Sequence, residues 1–404
     1  MGAILSVYDN AREIILKQVM SKGSFSISEI CTLTGLSTTS IAKYVSRMVK
    51  EGLIDMLDQV KAEGRGRRAV RYGAGAASNC FLGVDVSSYS LGLGVMDLSG
   101  EMQASRVDNN FRTENTHECL ELVLSKIREF LDSHPELPKI SSAHFNLSGR
   151  VNSRAGTSAS FFSFEETIET PLSKILSERL GVPVYMANDT QAMAYGEYHV
   201  RSKEKWENML FVNAGWGLGL GIIIGGKLYA GGSGYAGEMG HMHMFDNNIL
   251  CHCGKKGCLE TEVSGRAISR KLTERIKAGE SSVLSGKVHR NETITTDDII
   301  MALEKEDPLC MELVSHTGSA LGMYLAGIMN LLNPDAIVIG GGLSRAASYY
   351  FLQYAALAIK QHSLKLISSN VPVVSSVLGN RAGLMGACLL ARDRFLLKES
   401  DFVL

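Results

Sequence analysis

The sequence predicts an α/β protein with a small N-terminal helical module and a larger body in which one α/β pattern occurs twice. Residues 80–200 and 205–404 each begin with three short apolar runs joined by tight turns, and each continues with alternating helices and strands. Residues 1–75 show the apolar spacing of three short helices instead. At 404 residues the chain is long for one hydrophobic core, so we expect these three segments to be separate domains.

Composition and charge narrow the class of protein. With 45% hydrophobic and 21% charged residues, the chain has the composition of a globular protein. No stretch approaches the roughly 20 apolar residues of a membrane span, and no signal peptide is evident, so we expect a cytoplasmic protein without a membrane partner. Residues 1–80 contain 11 Lys and Arg against 7 Asp and Glu, whereas the remainder is acidic. This asymmetry predicts that only the N-terminus meets a polyanion.

Residues 1–75 have the layout of a helix-turn-helix. Asn10 with Glu13, and Ser26 with Glu29, have the spacing of helix N-caps, and Gly35 is suited to end the second helix. Ile30 and Leu33 are the predicted inward residues of that helix. Ser37 would cap a third helix, buried through Ile41, Val45 and Met48. The opposite face of the third helix carries the predicted major-groove residues for double-stranded DNA, Thr38, Thr39, Ser40, Lys43, Tyr44 and Arg47.

A basic hairpin follows this third helix. Two short strands, 53–60 and 69–73, flank a glycine-containing tip with three arginines, Arg65, Arg67 and Arg68. Such a tip suits phosphates or a narrow minor groove, so the hairpin is interpreted as the wing of a DNA-binding domain. The alternative is a helical dimerisation module with a solvated basic hairpin.

Three cysteines lie within eight residues in the second half of the body, and a histidine lies ten residues upstream of the first. The four predicted ligands are His241, Cys251, Cys253 and Cys258. Three sulfurs and one nitrogen make a closed tetrahedral site, which predicts structural rather than catalytic Zn²⁺. His252 is a rival nitrogen ligand, although its neighbours on both sides are ligands themselves. The five other cysteines are scattered along the chain, as buried thiols usually are.

Several motifs together resemble one family. They are Gly237–His241 with the cysteine loop and Glu260, Ala187–Asp189, the glycine-rich segment Asn213–Gly221, and Asn333–Asp335 leading into Gly340–Gly342. Over nearly its whole length the chain resembles the ROK family of sugar kinases and sugar-responsive repressors. This resemblance implies a duplicated actin-like, ribonuclease-H-like body. The winged helix-turn-helix is present only in the repressor branch.

The resemblance also implies a sugar site. The residues matching those that bind sugar hydroxyls are Asn188, Asp189, Glu238, His241 and Glu260. In the kinases, the residue matching Asp189 is also the general base on the attacked hydroxyl. Judged from its position alone, before a predicted helix, Asp189 would equally suit an N-cap.

Two turns depart from the kinase pattern. Glycine-rich turns let backbone N–H groups approach phosphate, but here Ser87–Ser90 lacks glycine and contains Tyr89. The second turn reads Gly215-Trp216-Gly217, with tryptophan where the family has threonine. We therefore expect neither ATP binding nor phosphoryl transfer. The loop 158–163 also lacks the family's sugar-binding asparagine, and its Phe161 and Phe162 would either stack on a ligand or pack in the core.

The sequence thus predicts a repressor of sugar-utilisation genes that binds double-stranded DNA as a homodimer or homotetramer. A sugar or phosphosugar effector in the cleft of the body would change the affinity for DNA. The main alternative is an ATP-dependent sugar kinase with an appended DNA-binding domain, in which Asp189 is the base. A regulator that responds to a protein partner is a third possibility.

Overall fold

The computed structural model describes residues 7–57, 70–74, 79–346, 348–397 and 403. The chain forms two compact units, one of residues 1–187 with 387–401 and the other of residues 188–386 with 402–404. Among the described residues, no helix is long and apolar enough to cross a membrane.

The N-terminal module is a three-helix bundle with a small sheet in the order β1-β3-β2. Its elements are α1 (Val7–Lys22), β1 (Ser24–Ser26), α2 (Ile27–Thr34), α3 (Thr38–Lys50), β2 (Asp55–Leu57) and β3 (Arg71–Gly73). Both strands of the predicted wing are present; within the described residues they begin at Asp55 and Arg71, two residues later than predicted, and Asp55 pairs with Gly73. The tip of the hairpin, with Arg65, Arg67 and Arg68, lies outside the described residues.

Local capping explains the turn of this module. The Ser26 hydroxyl accepts from the Glu29 amide while the Glu29 carboxylate accepts from the Ser26 amide, which confirms the predicted capping box. Gly35 adopts φ 69°, the left-handed conformation that favours glycine, and ends α2. Two predictions were wrong. Asn10 is not an N-cap because α1 begins at Val7, and Leu33 is 55% exposed because the short α2 buries only Ile30.

The core of the module continues into the rest of the first unit. Ile15, Phe25 and Met48 pack in one cluster with Phe81 of the following sheet and Leu396 near the end of the chain. The module is therefore attached to the body by buried apolar contacts as well as by the chain itself.

The first unit contains a five-stranded sheet in the order β10-β7-β4-β5-β6. Its strands are β4 (Cys80–Val86), β5 (Leu91–Met96), β6 (Met102–Asp108), β7 (Ile140–Leu147) and β10 (Val184–Asn188), and a separate ribbon is formed by β8 (Val151–Asn152) and β9 (Thr157–Ser158). Its helices are α4 (His117–Asp132), α5 (Glu165–Glu169) and α6 (Leu172–Leu180). The central strand β4 pairs antiparallel with β5 and parallel with β7.

The second unit repeats this topology in the order β13-β12-β11-β14-β15, with β11 antiparallel to β12 and parallel to β14. Its strands are β11 (Met209–Ala214), β12 (Leu218–Ile224), β13 (Lys227–Leu228), β14 (Ala336–Gly340) and β15 (Val373–Ser375). Its helices are α7 (Asp189–Val200), α8 (Gly265–Lys277), α9 (Ser285–His289), α10 (Thr296–Glu304), α11 (Pro308–Leu332), α12 (Gly342–Ala346), α13 (Gln353–His362), α14 (Lys365–Ser368) and α15 (Ala382–Leu396), the last of which ends in the first unit.

One predicted helix of this unit contains a π-helical turn. The sequence predicts a helix over 344–362, and the described residues there are helical in three segments, α12, the π-helical turn Ser348–Leu352 and α13. Here α11 packs so closely that a Cβ on Gly318 would lie 2.5 Å from the Phe351 carbonyl oxygen. The π-helical turn thus lies where two helices pack closely, a contact that apolar periodicity does not reveal.

Candidate functional site

Helix α3 carries the polar face that was predicted to meet DNA. Thr38, Thr39, Lys43 and Arg47 are exposed, and Ser40 and Tyr44 are half-buried. Ser37 caps the helix, because its hydroxyl accepts from the Ser40 amide at 3.2 Å. The predicted groove-facing residues therefore lie on the solvent side of the module.

Arg47 takes part in a side-chain network that the sequence did not reveal. Its Nε donates to Glu51 Oε1 at 2.7 Å, and its guanidinium lies 4.2 Å from the centre of the Tyr8 ring. The Tyr8 hydroxyl donates to the same carboxylate, and its ring packs edge-on against Tyr44. Arg47 and Tyr44 are thus held against α1, although Arg47 remains exposed on the polar face.

The four predicted metal ligands converge in the second unit. The ligand atoms of His241, Cys251, Cys253 and Cys258 all lie within 4.8 Å of one another. The Cys253 and Cys258 sulfurs are 3.6 Å apart, and Cys251 Sγ is 3.5 Å from His241 Nδ1. A metal ion would have all four donors within reach without a change in the backbone. The structure therefore offers a tetradentate site for one metal ion.

Two glycines allow the tight turns of the loop that carries the three cysteines. Gly254 and Gly257 have φ of 88° and 72°, and a Cβ on Gly257 would collide with the Phe245 carbonyl oxygen. An isolated bridge pairs His243 with Cys258 and so brings the last ligand back beside the segment that follows His241. This tight turn brings the Cys253 and Cys258 sulfurs within 3.6 Å of each other.

The thiols differ in their acidity. Burial raises the pKa of Cys251 to about 12. Burial also raises the pKa of Cys258. At Cys253, burial acts in the same direction but is outweighed by the Lys255 amide and the neighbouring sulfurs, so its pKa is lowered. Three thiolates side by side need a cation to be stable, which is the condition that metal coordination meets.

His252 engages a carboxylate beside the cluster. Its Nδ1 lies 3.0 Å from Glu260 Oε1, and this hydrogen bond raises its pKa. Glu260 is buried, and its second oxygen accepts from the Leu218 amide at 3.0 Å. Burial tends to raise the pKa of Glu260, but His252 and the Leu218 amide lower it on balance, so the side chain is a carboxylate.

The start of β12 is the place where the predicted sugar-binding segments meet. Glu260 bonds the Leu218 amide, and a Cβ on Gly240, next to His241, would collide with the Leu218 carbonyl oxygen. A Cβ on Gly219 would collide with the Thr190 hydroxyl, which follows Asp189 directly. Three stretches that are remote in sequence thus converge on two residues of one strand.

The Asn188 and Asp189 side chains both accept hydrogen bonds at the start of α7, but only Asn188 is the N-cap. The Asn188 side chain accepts from the Thr190 and Gln191 amides, so Asn188 is the N-cap. Asp189 Oδ1 accepts from the Thr190 amide at 2.7 Å and the Thr190 hydroxyl at 3.3 Å. The N-cap alternative for Asp189 is therefore wrong.

Gln191 is a positioning residue that sequence reasoning missed. Its buried Nε2 donates to the carbonyl oxygens of Gly234 and Ala236 at 2.9 and 3.3 Å. This ties α7 to the loop that carries Glu238 and His241, whose Oε2 and Nε2 atoms are 3.6 Å apart. No local sequence pattern predicts this role of Gln191, because its partners lie more than 40 residues away.

The two turns that were predicted to depart from the kinase pattern are both engaged in hydrogen bonds. The amides of Gly265 and Arg266 at the start of α8 donate to the carbonyls of Gly215 and Trp216. In the first unit, the Ser87 amide donates to the Ser90 carbonyl and the two hydroxyls lie 2.8 Å apart. Tyr89 is 55% exposed, so its ring lies outside this turn.

The aromatic pair of loop 158–163 belongs to the core. Phe162 is 1% exposed and Phe161 packs against the same cluster in the first unit. Of the two interpretations of this pair, core packing is the one observed.

Comparison with known proteins matches both parts of the chain. The model of winged helix-turn-helix DNA-binding domains matches residues 9–55, and the ROK family model matches residues 81–394. The N-acetylglucosamine repressor of Escherichia coli O157:H7 is 28% identical over 372 residues, which cover 92% of this chain and 89% of that protein.

Solved structures agree with these matches. A ROK family transcriptional regulator, a homologue of the E. coli MLC protein, superposes with a TM-score of 0.80 at 28% identity and 96% coverage of both chains. A ROK glucokinase from Streptomyces griseus in complex with glucose and AMPPNP has a TM-score of 0.66 at 27% identity, over 78% of this chain and all of that one.

The protein is therefore a DNA-binding transcriptional regulator with a kinase-like body. It belongs to the ROK family, because that model covers most of the chain. The predicted winged helix-turn-helix and the actin-like duplicated body are both confirmed.

Proposed function

We propose that this ROK protein represses carbohydrate-metabolism genes and that a sugar or phosphosugar, bound by the second unit, controls its affinity for DNA. The observation that carries the proposal is the convergence of the Asp189, His241 and Glu260 segments at the start of β12. Carboxylate oxygens accept hydrogen bonds from sugar hydroxyls in defined directions, so several acids around one strand end suit a polyol ligand. A protein of this class acts where the genes are, in the cytoplasm.

DNA recognition rests on the solvent face of α3. Thr38, Thr39 and Lys43 are exposed, so these three side chains would reach base edges or adjacent phosphates. Arg47 would act by orienting α3 against Tyr8 and Glu51, with its remaining N–H groups toward DNA. Arg65, Arg67 and Arg68 would contact the backbone or minor groove beside the site.

We expect Lys43→Ala to weaken binding to a selected operator by about 5- to 150-fold, which corresponds to a loss of roughly 1–3 kcal/mol. The operator is first selected from a random duplex library with the wild-type protein, and affinities are then measured at one salt concentration. Lys174→Ala, which removes an equal charge from α6, is the matched control. Failure to select any sequence, or equal affinities for Lys43→Ala and wild type, would contradict the DNA-binding assignment of this face.

The ion in the cysteine cluster is proposed to be structural Zn²⁺. Tetrahedral Zn²⁺ with Zn–S bonds of about 2.3 Å and a Zn–N bond of about 2.0 Å needs S···S distances of ~3.8 Å and S···N distances of ~3.5 Å. The distances of 3.6 Å between Cys253 and Cys258, and 3.5 Å between Cys251 and His241, fit that geometry. The ion would hold the loop between the Glu238 and Glu260 segments.

The alternative, an ATP-dependent sugar kinase, is disfavoured by the turns. The amides of Gly265 and Arg266 are bound to the Gly215 and Trp216 carbonyls, the Gly215 amide is bound to the Gly217 carbonyl, and Trp216 stands where the family has threonine, so these amides are not available to a phosphate. The turn after β4 is likewise closed on itself by Ser87 and Ser90.

We expect hexoses, hexosamines or their phosphates to raise the unfolding temperature of the protein while no sugar supports ATP turnover in a coupled assay. A ligand at 100 times its Kd would stabilise the fold by about 2.7 kcal/mol. Asp189→Ala should abolish the thermal shift, and Asp297→Ala, a change at an exposed acid on α10, should retain it. Sustained ATP turnover that disappears in Asp189→Ala would establish the kinase instead.

A homodimer or homotetramer is proposed from the surface of the second unit. Four leucines are exposed here: Leu357 on α13, Leu364 just before α14, Leu366 on α14 and Leu331 at the end of α11. Helix α11 packs against both α13 and α14. Clustered exposed leucines are typical of an interface. Two copies would supply the paired helix-turn-helix modules that a two-fold operator needs.

A further inference from the structure

An open cavity of about 420 Å³ lies in the first unit, where the N-terminal module meets the sheet. Arg12 of α1 and Glu51 and Leu53 after α3 line it on the side of the module. Lys139 and Ser141, at the start of β7, line it on the side of the body. Its volume lies within the range of small-molecule sites, about 300–1,000 Å³.

The uncompensated charge of this cavity is positive. The Glu51 carboxylate is already paired with Arg47 at 2.7 Å and accepts from the Tyr8 hydroxyl at 3.3 Å. Arg12 uses one N–H on the Leu396 carbonyl at 3.1 Å, and no described carboxylate pairs with it. Lys139 makes no side-chain hydrogen bond or ion pair with the residues that the structure describes. Two cations therefore remain available for an anion.

The neutral polar groups of the wall are satisfied. Ser141 donates to Asn79 Oδ1 at 2.6 Å, and Asn79 Nδ2 donates to the Gly52 carbonyl at 3.1 Å. This chain of bonds links the body to the module across the base of the cavity. The rest of the lining is largely apolar, including Leu53 and Phe395. The cavity thus combines a cationic pair with an apolar wall.

We propose that this cavity binds a small organic anion, with a carboxylate or phosphate group held by Arg12 and Lys139 and an apolar part against Leu53 and Phe395. Because Arg12 belongs to the module and Lys139 to the body, an anion held by both side chains links the module to the body. The occupied cavity also places negative charge near Glu51, the residue that holds Arg47 on the DNA-binding face. Binding therefore changes DNA affinity through a second site, separate from Asp189.

The first test uses thermal unfolding of the full chain with phenyl phosphate, benzoate, inorganic phosphate and neutral benzyl alcohol as probes. At about 10 mM, phenyl phosphate or benzoate is expected to raise the midpoint by about 2 °C or more, and benzyl alcohol is not. The comparison of phenyl phosphate with benzoate shows which anionic group the cations prefer, and inorganic phosphate shows whether the apolar part is needed.

The variants decide whether the shift comes from this cavity. The Arg12→Gln/Lys139→Gln double variant should lose it, while Lys174→Gln and Asp189→Ala should keep it. Should the double variant unfold, Lys139→Gln alone should reduce the shift, because the Lys139 side chain makes no bond with the described part of the chain that its loss would break. No shift with either organic anion, or an equal shift in the double variant, would overturn the site.

The second test measures the Kd for the selected operator with and without the effective probe. A change of at least about threefold in the wild type, absent in the double variant, is expected. An unchanged Kd at saturating probe would overturn the coupling to DNA. Because Asp189→Ala leaves this response in place, loss of the sugar response and loss of this one are distinguishable.

Discussion

Cys258→Ser is expected to lose the bound metal and to lower the free energy of unfolding by more than about 4 kcal/mol, the range in which loss of a structural metal falls. Cys258 is fully buried, and its sulfur is 3.6 Å from Cys253. Its chain neighbour Leu259 lies in the main core of the second unit. Without the ion, the loop between the Glu238 and Glu260 segments loses its central attachment.

The measurement combines metal analysis of the purified protein with chemical denaturation. Wild-type protein should contain about one Zn²⁺ per chain, and Cys258→Ser should contain close to none. Cys31→Ser, at a half-buried thiol of the N-terminal module, is the control that keeps the metal and the stability. A wild-type protein that folds normally without any metal would refute the structural role.

Glu197→Ala is expected to destabilise the protein by about 3–5 kcal/mol, because it removes the buried carboxylate that pairs with Arg201 and leaves the Ser376 hydroxyl and Val377 amide without their acceptor. Glu197 is 0% exposed and accepts from Arg201 Nε, the Ser376 hydroxyl and the Val377 amide, each at 2.8 Å. The Arg201 side chain is only 8% exposed, so water cannot replace the lost carboxylate. The change would also detach the end of α7 from the segment after β15.

Glu204→Ala is the matched control, because Glu204 pairs with the same Arg201 from the solvent side and is 40% exposed. Its removal should cost at most about 1 kcal/mol. Urea denaturation of both variants gives the comparison. If Glu197→Ala were as mild as Glu204→Ala, the buried carboxylate would not be the attachment described here.

The DNA-binding module shows which features are readable from local sequence. The capping box at Ser26 and Glu29, the glycine at position 35 and the buried face of α3 all depend on residues within one or two turns of each other. Leu33 was misassigned because α2 is so short that its last turn extends beyond the core.

In the candidate sites, too, the sequence predicts the local features but not the contacts between distant segments. The four metal ligands were predicted as a set because three of them lie in one short loop, and the structure brings these four together. The partners of Glu260 were not predictable, since Leu218 is 42 residues away and belongs to another element. The network of Arg47 depends on Tyr8, which is 39 positions earlier on a different helix.

By itself, the sequence determined the family and the N-terminal DNA-binding module, and it predicted the donor set of a metal site and the departure of two turns from the kinase pattern. These features depend on residue identity and on short spacings along the chain, so the sequence is enough to recognise them. The tertiary structure alone decided that the α8 amides close the Trp216 turn, that Gln191 ties α7 to the loop before Glu238, that Glu260 bonds the start of β12, and that a cationic cavity lies where the module meets the body. Each of these requires backbone groups from distant elements to come within about 3 Å, the reach of a hydrogen bond, or to face one another across a gap.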